Sequence, residues 1–493
     1  MIYTVAPSPL DKNRIWMGTD DGLIHLTTDG GATWRDVTPP QIGAWWKVSL
    51  MDASHFDPKV AYAAVNTIRL DDLRPHIYRT ADEGKTWTEI VNGLPGDENV
   101  HVVREDPQRG GLLFAGTERG VYFSFDNGED WQPLRFNLPA TSVRDLIVKD
   151  DDLCIATHGR GFWIMDNITP LRQLSPDETA PAEGARSEEA GVDQSGLETR
   201  LFRPQVAMRV RWNTNTDTPL PPDEPAGENP PPGAIIDYSL VNDVSGPVTL
   251  EIQNANGELV RRYSTSEPAP APDPNLKIPR YWVRPPQVLS GKPGLHRFLW
   301  DLHGSPIPKA KPEYPISAVR GGTEPLPTAP WVLPGTYTIS LIASGRTMTQ
   351  PLAVKMDPRI KASATDLALQ FTASEKLAAL RAQLEPVGEQ YDALVKELGK
   401  IPESSSKAEQ LRKSLEAFAN PEAIRSGRTL QLDVLNKVKK LFDDLQQVDA
   451  APTPEQIAAV RELEQVTKEV LEKWKEMPAA AAAPAESTLL FAN

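Results

Sequence analysis

The hydrophobic pattern of the first third of the chain is that of short strands separated by glycine-containing turns. One turn recurs three times, at residues 27–34, 80–87 and 124–131. Each copy begins with Ser or Thr, has Asp two residues later, then Gly, and closes on Trp. A repeat period of a few tens of residues indicates repeated supersecondary units. The pattern therefore predicts a series of similar small β-sheets.

The recurring turn is expected to serve folding rather than catalysis. An Asp side chain in such a turn accepts hydrogen bonds from nearby backbone N–H groups, and Gly tolerates a positive φ angle. The closing Trp starts the next strand and places a large apolar ring between units. We therefore predict structural roles for Asp29, Gly31, Trp34, Asp82, Gly84, Trp87, Asp126, Gly128 and Trp131.

Each turn follows a glycine-bearing hairpin between two apolar runs, as at residues 16–24 and 114–122. A fourth hairpin, at 155–163, lacks the Asp turn. Another apolar run precedes each of the later hairpins. With the strand that follows the turn, a unit then holds four short antiparallel strands, which is the arrangement of a propeller blade. The second unit carries an insertion within residues 66–76, between its second and third strands. Insertions of this kind often carry function.

The three turns resemble the Asp-box, or BNR, repeat. Residues 2–174 resemble the propeller of the sortilin/VPS10-like family, especially bacterial proteins described as BNR-repeat glycosyl hydrolases. The run 157–163, followed by Asp166, looks like the last blade of that family. Because the family closes larger rings than about four blades, we expect the C-terminal part of a longer protein, or one half of a split one. The alternative is a four-bladed or open arc. The resemblance also implies a secreted or periplasmic location.

The pattern changes twice after residue 174. Residues 175–200 are acidic and poor in large apolar side chains, and they are interpreted as a linker. Residues 201–355 alternate again and predict an Ig-like β-sandwich, whereas residues 356–477 have helical spacing and predict a bundle. Pro386 is expected to kink or split the first helix. The Ala/Pro-rich tail 478–493 is predicted to be disordered.

The predicted fold class is thus multidomain and mainly β, with a partial β-propeller of about four blades, an Ig-like β-sandwich and a C-terminal α-helical bundle. The net charge of −15 argues against nucleic acid as a partner. The chain has no apolar run of the about 20 residues needed to cross a bilayer, and no signal peptide. Its seven His residues lack metal-ligand spacing, and no cofactor motif is present. The single Cys154 is interpreted as core filler.

Candidate binding residues are predicted on one rim of the propeller. The hairpin between the second and third strands of a blade emerges on the same face as the link to the next blade, opposite the Asp turns. Carboxylates, guanidinium groups and aromatic rings on that face suit sugar or peptide recognition, although each residue type also serves ordinary turns and packing. The predicted residues are Asp20, Asp21, Trp45, Trp46, Arg69, Asp71, Asp72, Arg74, His76, Glu118, Arg119, His158 and Arg160.

Two functions fit this sequence. The leading hypothesis is an exported propeller that binds a protein, peptide or glycan through its rim, with a partner chain or missing N-terminal blades completing the ring. The alternative is a glycoside hydrolase, sialidase-like or otherwise exo-acting, whose active site is completed by blades outside this chain. Hydrolysis needs two carboxylates about 5–10 Å apart. Asp20 with Asp71 or Glu118 would serve, but the spacing selects no pair, so the catalytic residues stay unassigned.

Overall fold

The computed structural model describes residues 1–174, 198–211, 229–241, 244–267, 276–315, 320–326, 328–420 and 432–477. Within them the chain forms six β-sheets and then four helices, so the predicted fold class is confirmed. Most of the predicted linker and the whole predicted tail lie outside the described residues. The predicted domain boundaries stay predictions.

The first fifteen strands form four sheets, each a meander of consecutive strands. Sheet 1 contains β1 (Ile2–Pro7), β2 (Ile15–Thr19), β3 (Ile24–Thr27) and β4 (Arg35–Asp36). Sheet 2 contains β5 (Lys47–Ala53), β6 (Ala61–Asn66), β7 (His76–Thr80) and β8 (Thr88–Glu89). Sheet 3 contains β9 (Val100–Glu105), β10 (Leu113–Thr117), β11 (Val121–Ser124) and β12 (Gln132–Leu134). Sheet 4 contains β13 (Val143–Lys149), β14 (Asp152–Thr157) and β15 (Phe162–Met165).

The four sheets are arranged as successive propeller blades. The first strands of the sheets, β1, β5, β9 and β13, contact one another in sequence order. Separate apolar cores fill the space between sheets 1 and 2, sheets 2 and 3, and sheets 3 and 4. Trp16, Tyr62 and Phe114 are among the fully buried side chains of these three cores. The sheets therefore form an arc of blades held together by apolar faces.

The Asp turns link the third strand to the fourth in sheets 1 to 3. Asp29 accepts hydrogen bonds from the Thr33 hydroxyl at 2.6 Å and the Thr33 N–H at 2.9 Å, which lower the pKa of Asp29 to about 2. Asp82 accepts the corresponding N–H of Thr86 at 2.8 Å, and Asp126 that of Asp130 at 3.0 Å. These carboxylates are therefore bound within their own turns.

The closing Trp of each turn packs on the preceding sheet. The Trp87 indole N–H donates to the carbonyl of Val37 at 2.8 Å, and that of Trp131 donates to the carbonyl of Ile90 at 2.9 Å. Trp87 is 9% exposed and Trp131 is 2% exposed. Trp34 occupies the same position in sheet 1 and is 42% exposed. No sheet precedes sheet 1 among the described residues. The burial of these rings depends on the neighbouring blade.

The next two sheets pack face to face as a sandwich around a core that contains Trp300. Sheet 5 has the strand order β16 (Arg200–Leu201), β18 (Ala234–Leu240) and β21 (Gly294–Trp300). Sheet 6 has the order β17 (Ala207–Arg209), β23 (Arg346–Met356), β22 (Gly335–Ala343), β19 (Thr249–Gln253) and β20 (Leu259–Ser264). The pair β17 and β23 is parallel. The Ig-like identity of this sandwich stays a prediction.

The helices are α1 (Ala364–Leu398), α2 (Ser406–Glu416), α3 (Asp433–Gln446) and α4 (Pro454–Lys475). Capping boxes begin α1 at Ser363 and α4 at Thr453. Pro386 was predicted to kink or split the first helix, and it does not split it, because α1 continues through the proline. Leu384 and Val387 flank the proline and are buried in the bundle core. No helix in the described part of the chain is long and apolar enough to span a membrane.

Candidate functional site

The rim predicted from the sequence is formed by four hairpins and the links that follow them. Backbone hydrogen bonds tie the hairpins of sheets 1, 3 and 4 to a neighbouring link, from Trp45 N–H to Asp21, from Glu118 N–H to Asn99, and from His158 N–H to Ser142. The rim therefore is a continuous surface along the arc. Its predicted residues fall into separate clusters, which differ in how far their charges are already paired.

The central cluster surrounds His101, on the first strand of sheet 3. The His101 Nε2 atom lies 2.7 Å from Glu118 Oε1, and the Asn66 side-chain amide lies 3.2 Å from His101 Nδ1. Arg144 Nη2 is 3.6 Å from the same Glu118 oxygen, and Ser142 Oγ is 3.4 Å from His101 Nε2. Three blades thus contribute to one polar site, since Asn66 belongs to sheet 2 and Arg144 to sheet 4.

The charge state of this cluster follows from its surroundings. Burial, and then the positive charge of Arg144, lower the pKa of His101, although Glu118 opposes them. Burial alone raises the pKa of Glu118, but its hydrogen bonds with Ser142 and His101 and the positive charge of Arg144 outweigh that effect and lower it. At neutral pH we therefore expect a neutral His101 that donates from Nε2 to an ionised Glu118.

A second cluster lies on the insertion of sheet 2 and is paired within itself. Arg74 donates to Asp72 twice, at 2.9 and 2.7 Å, and lowers the pKa of Asp72 well below its usual range. The buried His76 lies 2.7 Å from Glu89, and its ring centroid is 4.6 Å from that of Trp46. Because the charged groups of this cluster already pair with one another, they are better suited to holding the insertion in place than to binding a ligand directly.

Trp45 is the most exposed aromatic residue of the predicted rim. Its backbone is left-handed, with φ of 69°, and its N–H donates to the Asp21 carbonyl at 2.9 Å. The indole is 67% exposed. A bulky residue in this conformation is strained, and such strain is concentrated at functional sites. The chain thus exposes a large flat ring on the rim. The Thr19 hydroxyl lowers the pKa of Asp21, whose backbone carbonyl accepts the Trp45 N–H.

The remaining predicted rim residues have local roles. Asp20 pairs with the N-terminal amine, and Arg119 pairs with Asp97 at 3.0 Å. Asp71 has a left-handed backbone after the short 3₁₀ helix that contains Arg69. The Arg160 N–H is bound by Thr157 within the last hairpin. The pairing of Asp20 with Asp71 or with Glu118 as catalytic carboxylates stays a prediction.

His101, Ser142, Arg144 and Asn66 were missed by the sequence analysis. They lie on the first two strands of their sheets or in the link before them, whereas most of the predicted rim residues lie in the hairpins. A signal existed, because His101 interrupts an otherwise apolar run at 100–103. A polar residue in a predicted buried strand needs a partner, and that requirement points to a site.

The chemistry available on the rim is that of ionised carboxylates. The pKa values of Asp21, Asp72 and Glu118 are all lowered. Such groups accept hydrogen bonds from hydroxyls or act as a base or nucleophile, whereas a glycosidase also needs an acid with a raised pKa. Within the described residues no cluster of His, Cys, Asp and Glu is suited to a metal ion.

Curated proteins similar to this chain include an oligoxyloglucan-reducing end-specific xyloglucanase of Emericella nidulans. It is 32% identical over 115 residues, which make up 21% of this chain and 12% of the relative. A probable oligoxyloglucan-reducing end-specific xyloglucanase of Neosartorya fischeri is 22% identical over 147 residues, 27% of this chain and 17% of the relative. The chain therefore matches less than a fifth of either relative. No protein-family model matches it.

Solved structures similar to this chain include two described as GH74 enzymes. The xyloglucanase from Xanthomonas campestris aligns with 71% of this chain and 47% of its own, at 12% identity and a TM-score of 0.29. The Niastella koreensis enzyme aligns with 33% of this chain and 22% of its own, at 16% identity and a TM-score of 0.27. A structure described as YCF48 bound to D1 peptide covers 34% of this chain and 51% of its own, at 16% identity and a TM-score of 0.27. Over the matched residues the chain is therefore similar in sequence to two curated proteins named as xyloglucanases.

The buried histidines predict that stability falls as the pH is lowered from about 7.5 to about 5. Burial lowers the pKa of both His101 and His303, whereas an unfolded His has a pKa of about 6.5. Below that value the unfolded chain binds more protons than the folded chain, so acid favours unfolding. Thermal unfolding across this pH range measures the effect. His101→Gln should flatten the decline and the exposed His158→Gln should not; a decline equally steep in all three proteins contradicts it.

Proposed function

We propose that this chain is part of a glycan-active β-propeller whose rim binds an oligosaccharide and whose activity is glycoside hydrolysis. The observation that carries the proposal is the strained, exposed Trp45 on the same rim as the ionised Glu118 and its partners His101 and Arg144. A flat aromatic ring stacks on the apolar face of a sugar, while carboxylate, imidazole and guanidinium groups bind its hydroxyls. The named activity of the curated relatives supports xyloglucan oligosaccharides as the substrate class.

The rim supplies one half of the groups that hydrolysis requires. Glu118 is ionised and hydrogen-bonded, and it would act as the base or nucleophile, with His101 as its positioning residue. The proton donor needs a raised pKa and would come from blades beyond those described. The second candidate function, binding of a glycan, protein or peptide without hydrolysis, is favoured by the lowered pKa of Asp21, Asp72 and Glu118 alike.

Exposed apolar faces support completion of the ring by further sheets. Ile24 of sheet 1 and Val121 of sheet 3 are buried against the sheet that follows. Phe162 begins the third strand of sheet 4 as they begin theirs, yet it is 86% exposed. Ile164 lies opposite the half-buried Cys154 on the neighbouring β14, and the interpretation of Cys154 as core filler stays a prediction. Additional blades, from a partner chain or a longer polypeptide, would cover this face.

The proposal also includes the family to which the propeller belongs and the location of the protein. Membership in the Asp-box propellers that include the sortilin/VPS10-like family is supported by the hydrogen bonds of Asp29, Asp82 and Asp126 within equivalent turns. We also propose that the protein is exported, because its glycan substrate would lie outside the cell.

The glycan site predicts that Trp45→Ala weakens the binding of a xyloglucan oligosaccharide at least about tenfold, or about 1.4 kcal/mol, because the stacking surface is lost. Isothermal titration calorimetry of the purified chain measures it. Trp34→Ala is the matched control, because Trp34 is also partly exposed but lies at an Asp turn on the opposite face. Equal affinity in the wild type and both variants would place the glycan elsewhere.

Hydrolysis is tested separately by release of reducing ends from the same oligosaccharide. Glu118→Gln keeps the size of the side chain but removes its charge, and should abolish any turnover while leaving the fold intact. Turnover that survives this change contradicts the assignment of Glu118. Binding that depends on Trp45 without any turnover supports the second candidate function instead, and the absence of both binding and turnover contradicts the proposal.

A further inference from the structure

A cleft separate from the rim lies between the last propeller sheet and the sandwich, with a volume of 420 Å³. Residues 163–165 of β15 form one wall and residues 295–297 of β21 form another. Neighbouring residues of a strand point to opposite faces of its sheet. A cavity that touches three consecutive residues therefore lies along the edge of the strand. The cleft thus runs beside the outer edge of β15.

In sheets 1 and 2 the corresponding edge is covered by a fourth strand or the residue that follows it. Val37 N–H donates to the carbonyl of Ile24 at 2.9 Å, and Ile90 N–H donates to the carbonyl of Ile77 at 2.8 Å. β15 is the outermost strand of sheet 4, and within the described residues no strand pairs with its outer edge. Unpaired strand edges are templates for pairing with another chain.

The free acceptor on this edge can be identified from the hairpins. In sheet 1, Thr19 N–H donates to Leu23, the residue before Ile24. In sheet 4, Thr157 N–H donates to Gly161, the residue before Phe162. Because hydrogen-bonded and non-hydrogen-bonded pairs alternate along an antiparallel ladder, Phe162 directs its carbonyl outward as Ile24 does. The Phe162 carbonyl is thus the counterpart of the group that Val37 binds in sheet 1.

The chain that leaves β15 turns away from this edge. Asn167 has a left-handed backbone, with φ of 59°, and its N–H donates to Asp152 at 2.9 Å. Ile168 N–H then donates to the Asp151 carbonyl at 2.7 Å. Ile168, Leu171 and Leu174 are buried in the core between sheets 3 and 4. Residues 166–174 therefore do not form a fourth strand of sheet 4, whereas in sheets 1 to 3 the residues after the Asp turn form one.

The walls of the cleft are largely apolar and firmly held. Arg297 binds Asp237 at 2.8 Å and the carbonyl of Asp166 at 2.7 Å, which fixes the sandwich against sheet 4. Phe136 lines the cleft with an exposed ring and a left-handed backbone, with φ of 44°. The apolar lining residues are Leu134, Phe136, Leu138, Ile155, Trp163, Ile164, Met165, Pro170, Leu171, Leu174 and Leu295.

We propose that this cleft binds a short extended peptide segment of a partner protein, which pairs antiparallel with β15 as the fourth strand of sheet 4. The unpaired backbone edge provides hydrogen bonds that any peptide can make, and the apolar walls accept alternate side chains. β4, β8 and β12 have two or three residues, so a segment of similar length is enough to pair. This site is independent of the glycan rim.

The test uses a peptide copy of residues 33–38, Thr-Trp-Arg-Asp-Val-Thr, which forms the fourth strand of sheet 1 and its flanks. The peptide is acetylated, amidated and labelled with a fluorophore, and fluorescence anisotropy with the full chain measures binding. We expect saturable binding. A second peptide carries an N-methyl group on the valine that corresponds to Val37, and it should bind at least about tenfold more weakly, because that N–H is the donor to the strand edge.

Two protein variants locate the site. Phe136→Ser removes an exposed aromatic wall of the cleft and should weaken binding severalfold. Phe56→Ser is the matched control, because Phe56 is also an exposed phenylalanine but belongs to neither β15 nor the lining of the cleft. Trp45→Ala, on the rim, should also leave peptide binding unchanged, which separates this site from the glycan proposal.

Three results would overturn the inference. Equal binding of the methylated and unmethylated peptides would show that the apolar walls bind the peptide without strand pairing. Absence of binding shows that the edge does not accept a strand from a partner. Binding that appears only after residues 180–190 are replaced by a Gly/Ser sequence of equal length shows that the chain occupies its own edge.

Discussion

Replacement of Trp131 by alanine is expected to lower the free energy of unfolding of sheets 2 and 3 by about 3–5 kcal/mol. Trp131 is 2% exposed and fills the core between these sheets with Tyr62, Tyr122 and Leu113. Its indole N–H also donates to the carbonyl of Ile90, which would lose its partner. Truncation to alanine therefore removes apolar contact, opens a cavity and leaves a carbonyl group unbound between two blades.

Hydrogen exchange of the amides in β5–β12, followed by mass spectrometry, measures this loss locally in a chain with several folded parts. Trp34→Ala is the matched control. It removes the same ring from the equivalent turn of sheet 1, but this ring is 42% exposed, so we expect a change of about 0.5 kcal/mol. A similar cost for both substitutions would show that these rings act within their own turns and not between blades.

The Asp449→Asn substitution is expected to lower the free energy of unfolding of the sandwich and helices by about 3–5 kcal/mol. Asp449 follows α3, is fully buried, and pairs with both Arg209 and Arg211 of the sandwich. Burial lowers the pKa of Arg209, and the Asp449 carboxylate opposes that shift. Asparagine has nearly the same shape but carries no charge, so two buried cations would lose their shared partner.

Denaturant unfolding followed by the helical circular dichroism signal measures this effect. Asp97→Asn is the matched control, because Asp97 also pairs with an arginine, Arg119, but on the exposed rim. Exposed pairs contribute about 0–1 kcal/mol, so the control should unfold close to the wild type. A small effect at both positions would contradict a structural role for the buried cluster between the sandwich and α3.

The repeated part of the fold was largely predictable because its signals are local. Asp29, Asp82 and Asp126 bond to backbone groups four residues away, and the alternating runs between turns set the strands. The α4 helix begins with an equally local signal, since Thr453 and Gln456 form a capping box within one turn. The sequence left open whether Pro386 kinks or splits the first helix, because the outcome depends on the packing of the bundle around Leu384 and Val387.

The candidate site was predicted less completely, because its residues meet from different sheets. The expectation that hairpins and links emerge on the same face placed Glu118 and Trp45 on one rim. It could not select His101, Ser142 and Arg144, whose sequence neighbours are strand residues and which meet Glu118 after three blades pack together. Asp72 and Arg74 were equally plausible from their types, and the structure shows that they neutralise each other.

The sequence by itself determined the Asp turns, the order of strands, the change from β to helical spacing, and the face on which the hairpins lie. All of these arise from interactions within about ten residues, whose geometry is set by side-chain type and spacing. The tertiary structure decided which tryptophans are buried, which carboxylates have lowered pKa values, and which edge of sheet 4 has no paired strand among the described residues. Those properties depend on partners far along the chain, such as Val37 for Trp87 and Asp449 for Arg209, and no local spacing encodes them.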